Sequence, residues 1–305
     1  MEIEDLRAFV EVADAGGISA AAARLGVAKS IVSRRLIRLE AELGVQLLAR
    51  TTRGASLTEA GATFRDYAAR VGAEMEVAQD AIRPAGELRG RLRVAAPVSF
   101  GTTHFAALLA EMAVRHPRLH IQTCYSDQFV DLVAGGYDCA IRVGHLADSS
   151  LVARRVGAVN GSLVASPTYI QRHGAPQTLG ELLGHEALMQ GTETWQLLDG
   201  NDVVTVRPQG RFKADNGSAL VAAAVAGLGI GYLPLGLTRP YLSSGALVTV
   251  LPQHPTRPAG AYVVRPAGQH PARKIRVLSE MLTAYFDRFP DFDAGQSPAA
   301  ASAGA

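Results

Sequence analysis

The stretch SAAAARLGVAKSIVSRRLIRLEAELGVQLLARTTRGASLTEAG, residues 19–61, carries the reading of the fold. Its Ala-rich opening stops near Gly26, and from about Ser30 the apolar residues Val32, Leu36, Leu39 and Leu43 recur at spacings of four, three and four. That spacing predicts two helices joined by a few residues. Ser19 stands where an N-cap belongs. With the four apolar residues facing inward, Lys29, Ser30, Ser33 and Arg34 gather at the exposed front of the second helix. The RTTRG turn then places Arg50, Thr51 and Arg53 beside Gly54, a residue that permits a tight hairpin.

The charges give this helix pair a direction. The chain has 305 residues, with 30 Lys and Arg against 28 Asp and Glu, and a net charge of +2 argues by itself for neither nucleic acid nor a membrane. The distribution is uneven. Residues 24–53 hold seven bases and two acids, whereas residues 1–14 hold five acids and one base. Such a run is a solvated face or a nucleic-acid surface, and the register favours the second. Lys and Arg at the helix front can donate to guanine O6 and N7, and the small serines let the backbone approach the bases. Arg50 and Arg53 suit phosphates. Ser19, Lys29, Ser30, Ser33, Arg34, Arg35, Arg38, Arg50, Thr51 and Arg53 form the candidate DNA-contacting set.

Upstream, Leu6, Phe9, Val10 and Ala13 fall at helical spacing, and Gly16-Gly17 ends that helix. Downstream, Thr58 caps a helix over residues 58–84, in which Phe64, Ala68, Val71, Met75, Ala78 and Ile82 alternate at spacings of four and three. A seam of this kind pairs with a second chain or packs on its own domain, and the spacing leaves both open. Pro84 and Gly86 close the segment. From Gly90 the pattern becomes strands alternating with helical stretches, including FVDLVAGG, which predicts a largely parallel sheet covered by helices. RKIRVLSEMLTAYFDRF reads as an amphipathic helix, and residues 291–305 as a disordered low-complexity tail.

Composition narrows the class. At 48% hydrophobic residues and two cysteines, collagen-like, disulfide-scaffold and wholly disordered chains are excluded. The acidic start, MEIEDL, lacks the basic head of a signal peptide, which points to the cytoplasm. Residues 217–238 are uncharged and long enough to span a membrane, but the glycines and Pro234 within them read as a buried helix followed by a buried strand. Cys124 and Cys139 read as buried free thiols, with a redox role left open. His116 and His120 are four apart, yet Pro117 breaks the helix a metal pair would need. The glycines at 227, 229 and 231 follow a helix and lead into a strand, the reverse of a dinucleotide loop, and no Gly-x-Ser-x-Gly elbow occurs. No metal, cofactor or catalytic constellation is expected.

From about Leu6 to Gly61 the chain resembles, without a gap, the winged helix-turn-helix of LysR-type transcriptional regulators. Leu48 departs from that pattern, since the family usually carries an aromatic there. LRVAAPVSFGTTHF, SDQFVDLVAGGYDCAIRVGHLADSSLVARRV, SPTYIQRHG and NGSALVAAAVAGLGIGYLP resemble the effector-binding half of the same family. The resemblance implies an N-terminal all-α winged helix-turn-helix with a long linker helix, followed by a C-terminal α/β effector domain of two subdomains similar to type 2 periplasmic binding proteins. The implied layout is a DNA-binding domain at 1–60, a linker and dimerisation helix at 58–86, effector subdomain I at 89–160 and 266–290, and subdomain II at 161–265. On this reading the Phe64 to Ile82 seam dimerises.

The same resemblance implies a sequence-specific regulator whose effector alters oligomer geometry and promoter binding. Such an effector lies in a cleft near strand ends and helix N-termini. Ser99, Phe100 and Thr102 follow the first strand, Ser126 the second, and Arg142 with Gly144 the third, while Trp195 and Asn216 are candidates for the opposite wall. Read from the residues alone, the serines serve equally well as helix caps, Trp195 as a core aromatic and Arg142 as an ion-pair partner. The implied partners are double-stranded DNA with an inverted-repeat site, a small carboxylate or aromatic effector, and further copies of the chain in a dimer and tetramer, with RNA polymerase a further candidate. A solute-binding protein and a cleft enzyme are the rival classes. The basic helix pair opposes the first, and the lack of a catalytic constellation opposes the second.

Overall fold

The computed structural model describes residues 1–51, 54–82, 87–144, 146, 149–190, 194–267 and 271–289; of residues 50, 51, 54, 73, 76, 77 and 79–82 it describes the backbone alone. The chain forms two compact units, centred on residues up to Gly86 and on residues from Glu87 onward.

In the first unit α1 (Ile3–Ala15), α2 (Ile18–Leu25) and α3 (Lys29–Leu43) are followed by a hairpin of β1 (Leu48–Thr51) and β2 (Gly54–Leu57) and by α4 (Glu59–Ile82). Each of the first three helices ends on a left-handed glycine, Gly16, Gly26 and Gly44 at φ 69°, 65° and 68°, a conformation that side chains with a Cβ adopt at a cost. Leu6, Phe9 and Val12 of α1 pack with Ala21 and Ala22 of α2 and with Val32, Leu36 and Leu39 of α3. Two boundaries differ from the sequence reading. Gly17, not Ser19, precedes α2, because Ile18 already belongs to the helix and packs on the core, which leaves Ser19 exposed in the first turn. α3 begins at Lys29, with Ala28 as N-cap. Thr58 does cap α4, its hydroxyl accepting from the Gly61 amide at 2.9 Å.

The second unit contains β3 (Arg89–Ala96), α5 (Val98–Phe100), a π-helical turn (Gly101–Phe105), α6 (Ala106–Arg115), β4 (Arg118–Tyr125), β5 (Cys139–Gly144) and β6 (Val152–Val159). It continues through β7 (Gly161–Ala165), α7 (Pro167–His173), α8 (Leu179–Leu182), β8 (Ala187–Met189), β9 (Trp195–Asp199), β10 (Asp202–Val206) and β11 (Phe212–Lys213). α9 (Gly217–Val225), β12 (Ile230–Pro234), α10 (Leu235–Ser243), β13 (Val248–Thr249), β14 (Ala259–Arg265) and α11 (Arg273–Arg288) complete it. Two five-stranded sheets result, in the orders β4-β3-β5-β14-β6 and β11-β8-β12-β7-β13.

Neither sheet is purely parallel. β14 runs antiparallel to β5 and β6, and β7 antiparallel to β12 and β13. Parallel pairing, as expected, holds for β3 with β4 and β5 and for β8 with β11 and β12, whereas the strands that carry the chain between the sheets, β6 leading through Asn160 into β7 and β14 returning, run against their neighbours. β14 also corrects the expected boundary at 265: its seven residues lie in the first sheet, so the chain returns to that subdomain by Ala259. FVDLVAGG forms turns instead of a helix, ending at Gly136 with φ 64°, while Leu132 drops into the core beside Ala95 and Val264.

α11 closes the first sheet with Leu278, Leu282 and Phe286 buried. Lys274, almost fully buried, pairs with Asp138 at 2.9 Å and donates to the Arg91 carbonyl. Gly157 is required under this helix, since a Cβ there would stand 2.2 Å from the Phe286 ring. The apolar stretch at 217–238 divides into α9, β12 and the start of α10, and among the described residues no helix is long and apolar enough to cross a membrane. Glycines serve close packing there: a Cβ on Gly229 would lie 2.3 Å from the Glu186 carbonyl oxygen.

Candidate nucleic-acid interface and ligand cleft

Burying Val32, Leu36 and Leu39 leaves Lys29, Ser30 and Arg34 exposed on the opposite face of α3, with Ser33 and Arg35 half-buried beside them. Among the described residues no acid is paired with Lys29 or Arg34. Ile37, 56% exposed, joins this face, although nothing in the spacing of charges marks it. Arg38 behaves differently. Its guanidinium grips Asp5 through two hydrogen bonds, at 2.5 and 3.0 Å, and reaches Glu2 at 2.9 Å. The Asp5 side chain is fully buried, so Arg38 ties α3 to the start of α1 instead of standing free for DNA. Burial alone would raise the Asp5 pKa, but the Arg38 hydrogen bond and charge, together with the Glu2 amide, hold it below the ordinary value of 3.8.

The hairpin beside α3 is fixed by neighbours on both sides. Glu40 accepts from the amides of Leu47 and Leu48, at 2.8 and 3.1 Å, and Ala55 donates to the Gly16 carbonyl at 3.1 Å. The strands pair as far as Thr51 with Gly54. Arg53 lies outside the described residues, and Arg50 and Thr51 are described by backbone only. Leu48, the family departure, packs partly buried on the core.

On α4 the expected seam divides in two. Phe64 packs on the unit's own core, 5.7 Å from the Phe9 ring, and Ala68 is buried in it. Val71 and Ala78 are exposed and Met75 is half-buried, while the Ile82 side chain lies outside the description. Arg65, unmarked in the sequence reading, is buried against Asp14 at 2.6 Å and anchors α4 to α1.

In the second unit a cavity of about 400 Å³ opens where the chain crosses between sheets, with Val159, Asn160, Gly161 and Ala259 in its wall. That volume suits a small molecule. Phe100, Val143, Leu233 and Leu237 supply apolar surface, and Ser99, Asp127, Gln190 and Tyr232 supply polar groups. Of the predicted ligand residues, Ser99, Phe100 and Gly144 line it. Gly217 permits the approach of its two sides, because a Cβ there would lie 2.9 Å from Leu237 and 3.3 Å from the Ser99 hydroxyl.

The others fall elsewhere. Thr102 is exposed and bonds back to the Val98 carbonyl at 2.9 Å. The Ser126 hydroxyl accepts from the Gln128 amide at 3.2 Å, holding a turn. Arg142 donates to the Gln128 carbonyl at 3.2 Å and lies over the Phe129 ring at 4.9 Å. Burial lowers its pKa while the Asp127 charge opposes that shift. Trp195 is wholly buried in the second subdomain's core, edge-on to Tyr232 at 6.1 Å, and does not reach the cavity wall. Asn216 caps α9, accepting from Ser218 and Ala219 at 2.9 and 3.2 Å.

Asp127 is the residue that sequence reasoning missed. One of its oxygens accepts from the Val98 amide at 2.9 Å, at the start of α5, and the other from Asn216 Nδ2 at 2.7 Å. It therefore joins the helix starts on the two sides of the cleft. Its position just past a strand end, facing the residues that open the next helices, was the signal available. Among the described residues no group of three or more His, Cys, Asp or Glu could hold a metal.

Comparison with known proteins settles the family. Residues 3–62 match the model of the bacterial regulatory helix-turn-helix protein, lysR family, and residues 85–287 match the LysR substrate binding domain. The chain belongs to the LysR family of transcriptional regulators. It is 34% identical to an HTH-type transcriptional regulator of Xanthomonas campestris pv. campestris, over 98% of this chain and 89% of that one. It is likewise 34% identical to the HTH-type transcriptional regulator PtxR of Pseudomonas aeruginosa, over 95% of each. Among solved structures it is similar to the full-length virulence activator AphB of Vibrio cholerae, with TM-score 0.57 and 30% identity over 93% of this chain and 99% of that one. CrgA of Neisseria meningitidis gives 0.52 and 30% over 97% and 100%. This regulator therefore couples a DNA-binding helix-turn-helix to an effector-binding domain, and LysR regulators self-associate.

Proposed function

We propose that the regulator reads an inverted-repeat DNA site with α3 in the major groove. Lys29, Ser30, Ser33 and Arg34 address base edges there, Ile37 adds apolar contact, and Ser19, Arg35, Arg50, Thr51 and Arg53 hold phosphates. Arg38 acts from behind, by fixing α3 on α1. The observation that carries this reading is the exposed pair Lys29 and Arg34, with no acid paired to either among the described residues, on a helix whose other face is core. Val71, Met75, Ala78 and Ile82 of α4 pair two chains, and dimers assemble as a tetramer. A small molecule in the cleft changes transcription by binding one quaternary arrangement better than another, without turnover, in the cytoplasm and in contact with RNA polymerase. Selection of duplexes from a random library by the full-length protein at two salt concentrations tests the reading. It expects an inverted repeat whose affinity falls steeply with salt. Absence of any enriched sequence, with and without added cell extract, overturns it.

A further inference from the structure

The cleft's polar groups specify a class of ligand, an inference that rests on reading the cavity as the effector's seat. The family resemblance implies a small carboxylate or aromatic effector, with helix N-termini as seats for an anion. The structure places protein groups where such an anion would dock. At the start of α5 the Val98 amide already donates to Asp127, and at the start of α9 the amides of Ser218 and Ala219 already donate to Asn216. Arg142, a candidate from its place after the third strand, is turned to the Gln128 carbonyl and the Phe129 ring. Among the described residues that line the cavity there is no Lys, Arg or His, and the single ionisable carboxyl is Asp127.

An anionic ligand would meet that carboxylate in a mainly apolar, partly desolvated space with no cation among the described lining residues to pair with, and an unpaired charge is expensive to bury there. A cationic ligand fares little better. Asp127 already accepts two hydrogen bonds and shares its field with Arg142, so it offers a weak counter-charge for the desolvation of an ammonium group. A neutral donor has neither penalty. Each Asp127 oxygen retains a lone pair for a ligand O–H or N–H, Ser99 and Asn160 offer further hydrogen bonds, and Phe100, Val143, Leu233 and Leu237 cover apolar surface. We infer that the cleft takes an uncharged, mainly apolar small molecule that donates a hydrogen bond to Asp127, such as an aryl or alkyl alcohol, a phenol or an amide.

The test uses the full-length protein and a set of one- and two-ring scaffolds, each prepared as the alcohol, the primary amine and the carboxylate. Binding is measured by ligand-observed NMR and titration calorimetry, with Val143→Trp, which fills the cavity, as the locator. The expected result is that alcohols bind wild type about tenfold or more tighter than their matched amines and carboxylates, and that Val143→Trp abolishes this binding. Asp127→Asn, which keeps an oxygen for the Val98 amide, should narrow the gap between alcohol and carboxylate. The wild-type series decides the question even if that variant folds poorly. Carboxylates or amines that bind equally well or better, with their binding lost in Val143→Trp, overturn the inference and leave the cleft as effector seat. If no member of any series is displaced by Val143→Trp, inference and seat fall together, while the DNA reading stands on its own selection experiment.

Discussion

The two candidate sites are built in opposite ways. The DNA-reading face comes from one uninterrupted run of chain, in which helical spacing alone sorts Val32, Leu36 and Leu39 inward from Lys29, Ser30 and Arg34 outward. The cleft gathers its wall from segments as distant as Pro97 and Ala259, held in place by the crossings between two sheets. A local site can be recognised from period and charge. A site assembled across a topology takes its chemistry from whichever side chains the crossings bring together, here Asp127 and not the candidate Arg142. The first site also depends on a small core, so its strongest test is damage to that core.

Phe9→Ala should have the largest effect. The ring is fully buried against Phe64, and truncation of such a residue costs about 3–5 kcal/mol. We expect loss of sequence-selective DNA binding and an earlier urea transition by circular dichroism. The emission of Trp195, the chain's sole tryptophan and buried in the second unit, should unfold at its original midpoint. A matching shift in the Trp195 transition would break the contrast between the units.

Acid separates the units further. His104 is buried with Nδ1 2.9 Å from the Tyr285 hydroxyl, and burial lowers its pKa from 6.5 to about 4. The unfolded histidine thus takes up a proton that the folded one refuses between these values. The His104 contribution to the second unit's stability should be fully present above pH 6.5 and be lost as the pH drops toward 4, by about 2–3 kcal/mol. His185, lowered chiefly by burial, adds in the same direction. In the first unit the lowered Asp5 pKa works in another window: its contribution is present above 3.8 and disappears as the pH falls below it. Melts followed by Trp195 emission should therefore slope between pH 6.5 and 4, and His104→Gln should flatten most of that slope. An unchanged slope in the variant would remove His104 as its source.

Legibility followed the same division. The helix pair, the hairpin and the linker helix were readable because each is a local pattern, and the family pattern covered both halves. The N-cap stands at Gly17, two residues before Ser19, because Ile18 contributes to the core and starts the helix early. Arg38 was read as a DNA contact because its partners, Glu2 and Asp5, are far away in sequence. In the second unit β14 was assigned to the wrong subdomain, since a strand's sequence does not state which sheet it joins. Trp195 and Arg142 are candidates by residue type and place, but long-range packing takes the first into the core and the Gln128 carbonyl holds the second, which no local pattern states.

The pair Arg34 and Arg38 sharpens the comparison within a single helix. Arg34→Ala removes an exposed cation and should weaken specific DNA binding by about 1–3 kcal/mol, relaxing selectivity at one base pair without altering the thermal midpoint. Arg38→Ala removes the partner of a buried carboxylate, so it should lower the first unit's midpoint at neutral pH, with a smaller loss below the Asp5 pKa, where the carboxyl is protonated. Fluorescence anisotropy on the selected duplex and pH-resolved melts separate the two. Equal losses of selectivity with unchanged midpoints would return Arg38 to the DNA-contacting set.

Thr58→Ala should have the smallest effect and tests whether the first site is local throughout. The hydroxyl caps α4 through the Gly61 amide and donates to the carbonyls of Gln46, at 2.8 Å, and Leu47, at 3.2 Å, which lie at the entry to the hairpin. Gly61 has to lack a side chain there, because a Cβ would stand 1.9 Å from the Leu47 oxygen, so cap and hairpin entry are packed as one joint. Loss of an N-cap costs about 1 kcal/mol. Thr58→Ser should restore most of it, as the hydroxyl is the group in use. Since the joint bears on the hairpin and not on α3, the expected outcome is a lower midpoint and a shallower salt dependence of DNA binding, with the selected base preferences unchanged. A change in base preference would show that the hairpin entry positions α3, and the recognition face would then depend on contacts outside its own helix.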